Sequence, residues 1–329
     1  MPSNRKQMVN GIRILLVLLL LISMLELTAR SMYTTRSDLY YLQSKFELYA
    51  PKVKLLILGS SHAAQSVNPA FVGVDSFNLS HSYRDIYYDK EIFKAVFPRL
   101  PKLKQVLLEV SPFAFEYEMG SLGAFMVPEY LDLFLISPRF IHDFPKLVLN
   151  RFALWNQRNN FLPDLLVGKR PRELSFHEGF VTDTLDIPNE TLTSTGYRYS
   201  GTFKEEFQLK QNAEYRAAKY TAIMSDSVKE ENKRALGEFL SFCQANQIEC
   251  VLFSAPVSKY YLDYFGEDNL RSFFKDLSEV VGKFEGIRYL NFLSDPRYSN
   301  SQYFFDADHL NWLGSKKFTQ DLNRIILSQ

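Results

Sequence analysis

Leu55-Leu56-Ile57-Leu58-Gly59-Ser60-Ser61-His62 decides how this chain folds. Its four successive aliphatic residues are preceded by Val53 and Lys54, so the run 53–58 is apolar except for that lysine near its start. A strand of that kind is covered on both faces, as in a parallel sheet. Gly59 breaks the strand and two serines then open a helix. In an open α/β sheet, ligands bind beyond the carboxyl ends of the strands. A serine at this turn therefore stands at the binding edge. The helix start beside it offers backbone N–H groups to a developing oxyanion. The plain alternative is that Ser60 or Ser61 only caps the helix.

The same rhythm continues on both sides of this unit. Strands are expected at 53–58, 74–79, 105–110, 249–255 and 287–291. Helices are expected at 84–97, 227–246, 269–284 and 311–327, the first ended by Pro98 and Pro101. Strands alternating with helices predict an α/β fold, a three-layer sandwich around a mostly parallel sheet. Between 113 and 225 the rhythm fails. Pro128, Pro138, Pro145, Pro163, Pro171 and Pro188 punctuate aromatic-rich pieces. This stretch reads as an insertion that caps the site. The domain plan is a cytoplasmic start and membrane anchor at 1–30, a juxtamembrane stalk at 31–52, and the catalytic-type domain at 53–329.

The anchor rests on the apolar run Ile14 to Ile22, extended by Met24, Leu25 and Leu27 and preceded by Arg5, Lys6 and Arg13. Counted from Asn10 to Ala29 it is about 20 residues, the thickness of a bilayer core. The basic residues before it favour an N-terminus inside, which places everything after residue 30 outside the cytoplasm. A cleaved signal peptide is the competing reading, but Glu26-Leu27-Thr28-Ala29-Arg30 is a poor cleavage site. A net charge of +1 gives no general pull toward nucleic acid. Cys243 and Cys250 are too few for a disulfide framework. They form one bridge outside the cytoplasm or remain two buried thiols. No cluster has zinc spacing, so neither a metal nor a cofactor is expected.

A second chemical segment is Phe305-Asp306-Ala307-Asp308-His309-Leu310-Asn311-Trp312-Leu313-Gly314, just before the last helix. A carboxylate three residues before a histidine can hold one imidazole nitrogen and leave the other free as a base. Asp308, adjacent to His309, is expected to point elsewhere and cap the helix. Alone, the Asp-x-x-His spacing is also compatible with solvated turn residues and a surface histidine.

Together the two segments resemble the first and last blocks of the SGNH/GDSL hydrolase superfamily. Gly59-Ser60-Ser61 stands where that family has Gly-Asp-Ser, and Asn311 with Gly314 continue its last block. The resemblance covers residues 53–112 and 227–327. It implies a flavodoxin-like sheet with Ser61 as nucleophile, His309 as base and Asp306 as its partner. Gly59, Asn78, Ser80, Ser111 and His62 are the expected oxyanion and pocket residues. Ser80 stands where the family has the glycine that lends a backbone N–H. Glu109-Val110-Ser111-Pro112 replaces the block that carries an asparagine donor. His81 is expected beside the site, Pro256-Val257-Ser258 at its rim, and His142 and His177 in structural roles.

An anchored domain with these motifs is similar to the D-alanine-transfer protein of teichoic acid assembly and to alginate O-acetylation proteins. That resemblance implies a serine-dependent esterase or O-acyltransferase acting on a cell-envelope polysaccharide or glycoconjugate. It also implies a multispanning membrane O-acyltransferase as partner, with membrane lipid around the anchor. The alternative is an inactive scaffold or glycan-binding domain of the same fold.

Overall fold

The aliphatic run forms strand β1 (Leu55–Leu58), buried along its whole length as unbroken apolarity requires. It belongs to a computed structural model that describes residues 2–36, 38–139, 148, 150–154 and 206–327, with four short strands between 175 and 199. β1 pairs on one side with β2 (Ser76–Asn78) and on the other with β3 (Gln105–Glu109). Two antiparallel pairs follow: β4 (Ser175–His177) with β5 (Phe180–Thr182), and β6 (Thr191–Leu192) with β7 (Arg198–Tyr199). The main sheet is completed by β8 (Glu249–Ser254) and β9 (Arg288–Asn291). Its order is β2-β1-β3-β8-β9, and every pairing is parallel. The chain therefore leaves β1 toward one edge and returns through β3 toward the other. The cleft of such a sheet opens at this reversal, beyond the ends of β1 and β3. Gly59, Ser60 and Ser61 lie there.

Helices cover both faces. The N-terminal helix α1 (Pro2–Arg36) precedes α2 (Asp38–Tyr49), and α3 (Ser61–Ser66) follows β1. Next come α4 (Ile86–Val96), α5 (Met119–Leu122), α6 (Val127–Phe134) and α7 (Glu206–Thr221). The last are α8 (Lys229–Ala245), α9 (Lys259–Phe265), α10 (Glu267–Val281) and α11 (Trp312–Leu327). α4 packs on α8 through Phe93 and Phe239, ring centroids 5.0 Å apart. Within β8, Cys250 meets Cys243 of α8, while Phe253 meets Phe318 of α11. Positions three apart on a strand point to opposite faces, so α8 and α11 lie in different layers. Cys243 and Cys250 are both buried, free thiols.

Two expectations need correction. Residues 38–49 are not a free stalk: they form α2, whose Leu39, Leu42 and Phe46 are buried in the main core. The spacing 39, 42, 46 is one helical stripe, and Phe46 meets Phe77 of β2 edge-on at 5.4 Å. The helix expected at 269–284 begins at Glu267, and the short α9 before it, capped by Ser258, was not foreseen.

In α1, Gln7–Ser31 is long and apolar enough to cross a membrane. Its large apolar side chains from Met8 to Leu27 are exposed all round, unlike those of a core helix. At its far end α1 is fastened to the insertion. The Glu26 carboxylate accepts from the N–H groups of Ala153 and Leu154 at 2.8 and 3.1 Å. Arg30 lies 3.8 Å from Asp132, which also pairs with Arg151 at 3.1 Å.

Gly59 is required twice over. Its φ is +137°, and a Cβ there would lie 2.7 Å from Cβ of Glu109 on the neighbouring strand. Gly286 has φ +74° but open space around it. In the detergent-solubilised chain, Gly286→Ala is expected to cost roughly 1–2 kcal/mol, the usual penalty for an L-residue in that region. Gly59→Ala is expected to cost clearly more, because β1 and β3 must also part. Denaturant midpoints of the two variants check this; equal losses would mean that the contact with Glu109 is unimportant.

Candidate active site

The turn after β1 is built by its serines. Ser60 is the N-cap of α3 and its Oγ accepts from the His62 N–H at 3.2 Å. Ser61 is thereby the first residue of the helix, at the reversal point of the sheet. A first-turn N–H has no partner inside its own helix, so that of Ser61 is available to a ligand.

The last loop approaches from the other end of the chain. Asp306 folds it tightly: Oδ1 accepts from the N–H groups of Asp308 and His309 at 3.2 and 2.9 Å. The imidazole of His309 swings over the same carboxylate, with Nδ1 2.9 and 3.0 Å from its two oxygens. A carboxylate can only accept, so Nδ1 carries the proton and Nε2 is the acceptor. Nε2 lies 2.9 Å from Ser61 Oγ, whose hydroxyl therefore donates to it. Asn311 and Gly314 hold the loop to α11. Asn311 Oδ1 accepts from the Gly314 N–H at 2.9 Å. Gly314 packs so closely on the Tyr303 carbonyl that a Cβ would lie 2.2 Å from its oxygen.

A second row of polar groups lies beneath this one. Asp308 is fully buried and takes a bidentate contact from Arg216 of α7, at 2.6 Å from Nε and 2.8 Å from Nη2. Its other neighbour is Nε2 of His62, 3.2 Å away. The His62 ring stacks on that of His309 with centroids 4.8 Å apart. Nδ1 of His62 lies 3.0 Å from Ser111 Oγ and 3.2 Å from Ser60 Oγ. Both hydroxyls donate to Glu109, at 2.6 and 2.9 Å. These contacts assign the charge of His62. Burial works against an ionised Asp308, but the Arg216 charge and its bidentate contact outweigh it and hold the carboxyl well below its usual range. Nε2 faces that carboxylate at 3.2 Å, and Nδ1 faces two hydroxyls whose protons go to Glu109, so the surroundings favour the charged form of His62. Burial alone would push it down; the bond to Asp308 and the charges of Glu109 and Asp308 prevail and raise it.

A cavity of about 250 Å³ opens beside Ser61 and His309. The loop after β2 contributes Ser82, Tyr83 and Arg84 to its wall, and α7 contributes Arg216, Lys219 and Tyr220. Phe113 and Tyr220 stack in that wall at 4.1 Å. Beside the row Ser61, His309 and Asp306, the cavity offers a cationic, aromatic-walled space.

The sequence expectations divide here. Ser61, His309 and Asp306 are brought together within hydrogen-bond distance. Gly59 shapes the turn. Ser80 does not line the cavity, and its N–H donates to Asn78 Oδ1 at 3.0 Å. Asn78 is a brace: its amide donates to the carbonyls of Ala63 and Val67, at 3.1 and 2.7 Å. Ser111 and His62 sit behind the cavity, in the second row, because Glu109 and Asp308 draw them there. Asp308 does not cap a helix. His81 is buried away from the cavity wall, and Ser258 caps α9 instead of forming a rim. His142 lies outside the described residues, as does the side chain of His177. Arg84, Glu109, Arg216 and Lys219 were missed. Arg216, Lys219 and Tyr220 do share one helical face, at spacings of three and four, which is the signal that could have found the last two.

Comparison with known proteins adds little. No family model and no curated protein matches the chain. Among solved structures, it is similar to a chain from Streptococcus pneumonia provisionally described as a platelet activating factor. The two are 9% identical with a TM-score of 0.41, over 91% of this chain and 96% of that one.

The second row carries a pH signature. A histidine held above its unfolded value, ordinarily near 6.5, contributes stability that is full below that pH and is lost as pH rises through the folded value. The denaturant midpoint is therefore expected to fall as pH rises above about 6.5. His62→Gln should lack that component of the slope. Identical slopes for the two proteins would show that His62 is not an imidazolium in the folded state.

Proposed function

We propose that the chain is a serine-dependent esterase or O-acyltransferase that works on an acylated glycan or related envelope conjugate. The observation that carries this is the unbroken relay Ser61 Oγ to His309 Nε2, and His309 Nδ1 to Asp306. In the proposed reaction His309 takes the Ser61 proton while Oγ attacks the ester carbonyl. Asp306 then faces the imidazolium that forms, without itself taking the proton. The tetrahedral oxyanion is met by the Ser61 N–H at the start of α3. The alcohol leaves with the proton from His309, and an acyl-serine remains. Water as second acceptor gives hydrolysis; a sugar hydroxyl gives transfer. The aromatic wall of the cavity supports a sugar ring as substrate, since rings such as Tyr83 and Tyr220 present flat apolar faces with polar edges.

The compartment is part of the same proposal. The α1 helix supports a membrane anchor with the domain outside the cytoplasm, next to a multispanning membrane O-acyltransferase. A C-terminal alkaline phosphatase fusion should be active. An inactive phosphatase together with an active cytoplasmic reporter would overturn the orientation.

One observation favours a second reading, that of a non-catalytic domain which binds glycan. The Ser80 N–H expected in the oxyanion hole is occupied by Asn78. Covalent labelling separates the two. A fluorophosphonate probe should label the purified chain at Ser61, and Ser61→Ala should abolish both labelling and turnover. His309→Ala should lose nearly as much. Asp306→Asn should lose less than either, although loss of this carboxylate reduces turnover about 10⁴-fold in a serine protease. The Ser61→Ala/His309→Ala double variant should lose little more than either single one, because the residues act as a unit. Full retention of turnover in Ser61→Ala, or no labelling of folded protein, would favour the binding domain.

A further inference from the structure

We propose that the side-chain amide of Gln65 is the second donor to the oxyanion that forms beside Ser61. The inference rests on the esterase reading and supplies a group that the reading lacks. The Ser80 N–H is spent on Asn78 Oδ1 at 3.0 Å, which leaves the Ser61 N–H to meet the oxyanion alone.

Gln65 is the central observation. It is 4% exposed, yet it lines the cavity together with Ser61 and His309. Its Oε1 is sealed from solvent and accepts no hydrogen bond. Its Nε2 is bonded to none of the described residues either, but it is not sealed off, so the N–H edge of the amide is turned to the cavity. A primary amide offers two N–H donors and an acceptor oxygen. Burying one without partners is unfavourable. Neither edge of this amide serves the fold, so its partner belongs to what enters the cavity.

Geometry ties the amide to the nucleophile. Gln65 follows Ser61 by four residues in α3, which puts both on one face of the helix, with Cβ atoms ordinarily about 5–6 Å apart. Side chains on a helix lean toward its N-terminus, and that lean carries a long amide back toward the serine. Ser61 Oγ, 2.9 Å from His309 Nε2, marks where the ester carbon must arrive. As Oγ bonds to that carbon, the carbonyl π pair moves to its oxygen and the Ser61 proton moves to His309. The oxyanion has no proton to give and takes an N–H from Gln65.

The helix is also held still. Asn78 donates to the carbonyls of Ala63 and Val67, at 3.1 and 2.7 Å. The Ser66 carbonyl accepts from the hydroxyls of Ser315 and Thr319 in α11, at 3.2 and 3.1 Å. Backbone groups on both sides of Gln65 are thus fixed before substrate arrives. A donor placed in advance costs no reorganisation at the moment of reaction. Asn78 takes the Ser80 N–H from the oxyanion and steadies the helix that carries its replacement.

The test uses the purified full-length chain in detergent and 4-nitrophenyl acetate, an ester with no sugar for an amide to hold. Gln65→Met keeps the side chain long and unbranched and removes the amide. Its kcat should fall about 10²-fold, the loss usual for one oxyanion donor. Its KM should stay within about threefold, because the bond is made in the transition state. Its denaturant midpoint should equal or exceed that of the unsubstituted chain, since an unpaired buried acceptor is removed. Gln65→Glu, equal in shape but anionic, should lose at least as much kcat and carries the test should Gln65→Met fail to fold. Retention of kcat within about threefold in whichever variant folds overturns the donor and leaves the esterase intact. A change confined to KM does the same, since it marks uniform binding. A lowered midpoint in Gln65→Met, or failure of both variants to fold, shows the amide to be structural and overturns the donor. Should the unsubstituted chain neither turn over the ester nor take a fluorophosphonate at Ser61, the esterase reading falls and the donor falls with it.

Discussion

The bidentate pair between Arg216 and Asp308 is the contact on which the site is built. Burying two charges is expensive, and their attraction compensates only when the geometry is good and the remaining donors are satisfied. Here both conditions are met by contacts at 2.6 and 2.8 Å. Removing one partner from a buried pair leaves an uncompensated charge, at a cost of about 3–5 kcal/mol. The pair joins α7, at the end of the insertion, to the loop before α11. Through His62 it also reaches the turn after β1. Three segments remote in sequence are thereby referenced to one carboxylate.

Legibility in the sequence followed the range of the interactions. The aliphatic run at 55–58, its glycine stop and the parallel sheet were readable because burial on both faces leaves a continuous apolar signature. The spacing of Asp306 and His309 was readable because a three-residue turn is a local event. Asp308 was misread for the opposite reason. Its role depends on Arg216, 92 positions away, and nothing local distinguishes a carboxylate that points to solvent from one that meets a distant guanidinium. Ser80 was misread because Asn78, two residues earlier, could reach its N–H as easily as a substrate could. The stretch 38–49 looked like a stalk because its polar residues dilute a narrow stripe of Leu39, Leu42 and Phe46.

Several departures from ordinary stability rules border one turn. Asp89 is pushed up to about 7 by burial, with Arg84 pulling the other way. Arg84 is buried against Asp89 at 2.7 Å, Tyr83 is left-handed, and Gly59 packs on the neighbouring strand. All border the turn that carries Ser61. Strain and buried charge beside a cavity are the pattern expected near a functional site.

The clasp between α1 and the insertion has a geometric consequence. Glu26 and Arg30 hold residues 151–154 and Asp132, and α2 lies packed on the core a few residues later. The α1 helix ends at Arg36 and α2 starts at Asp38, so with α1 in a bilayer little chain would separate membrane from domain. The cavity would then ride at a set height above the membrane surface. A freely swinging tether would sample a hemisphere and dilute its own local concentration as it lengthened. The clasp instead fixes a single height.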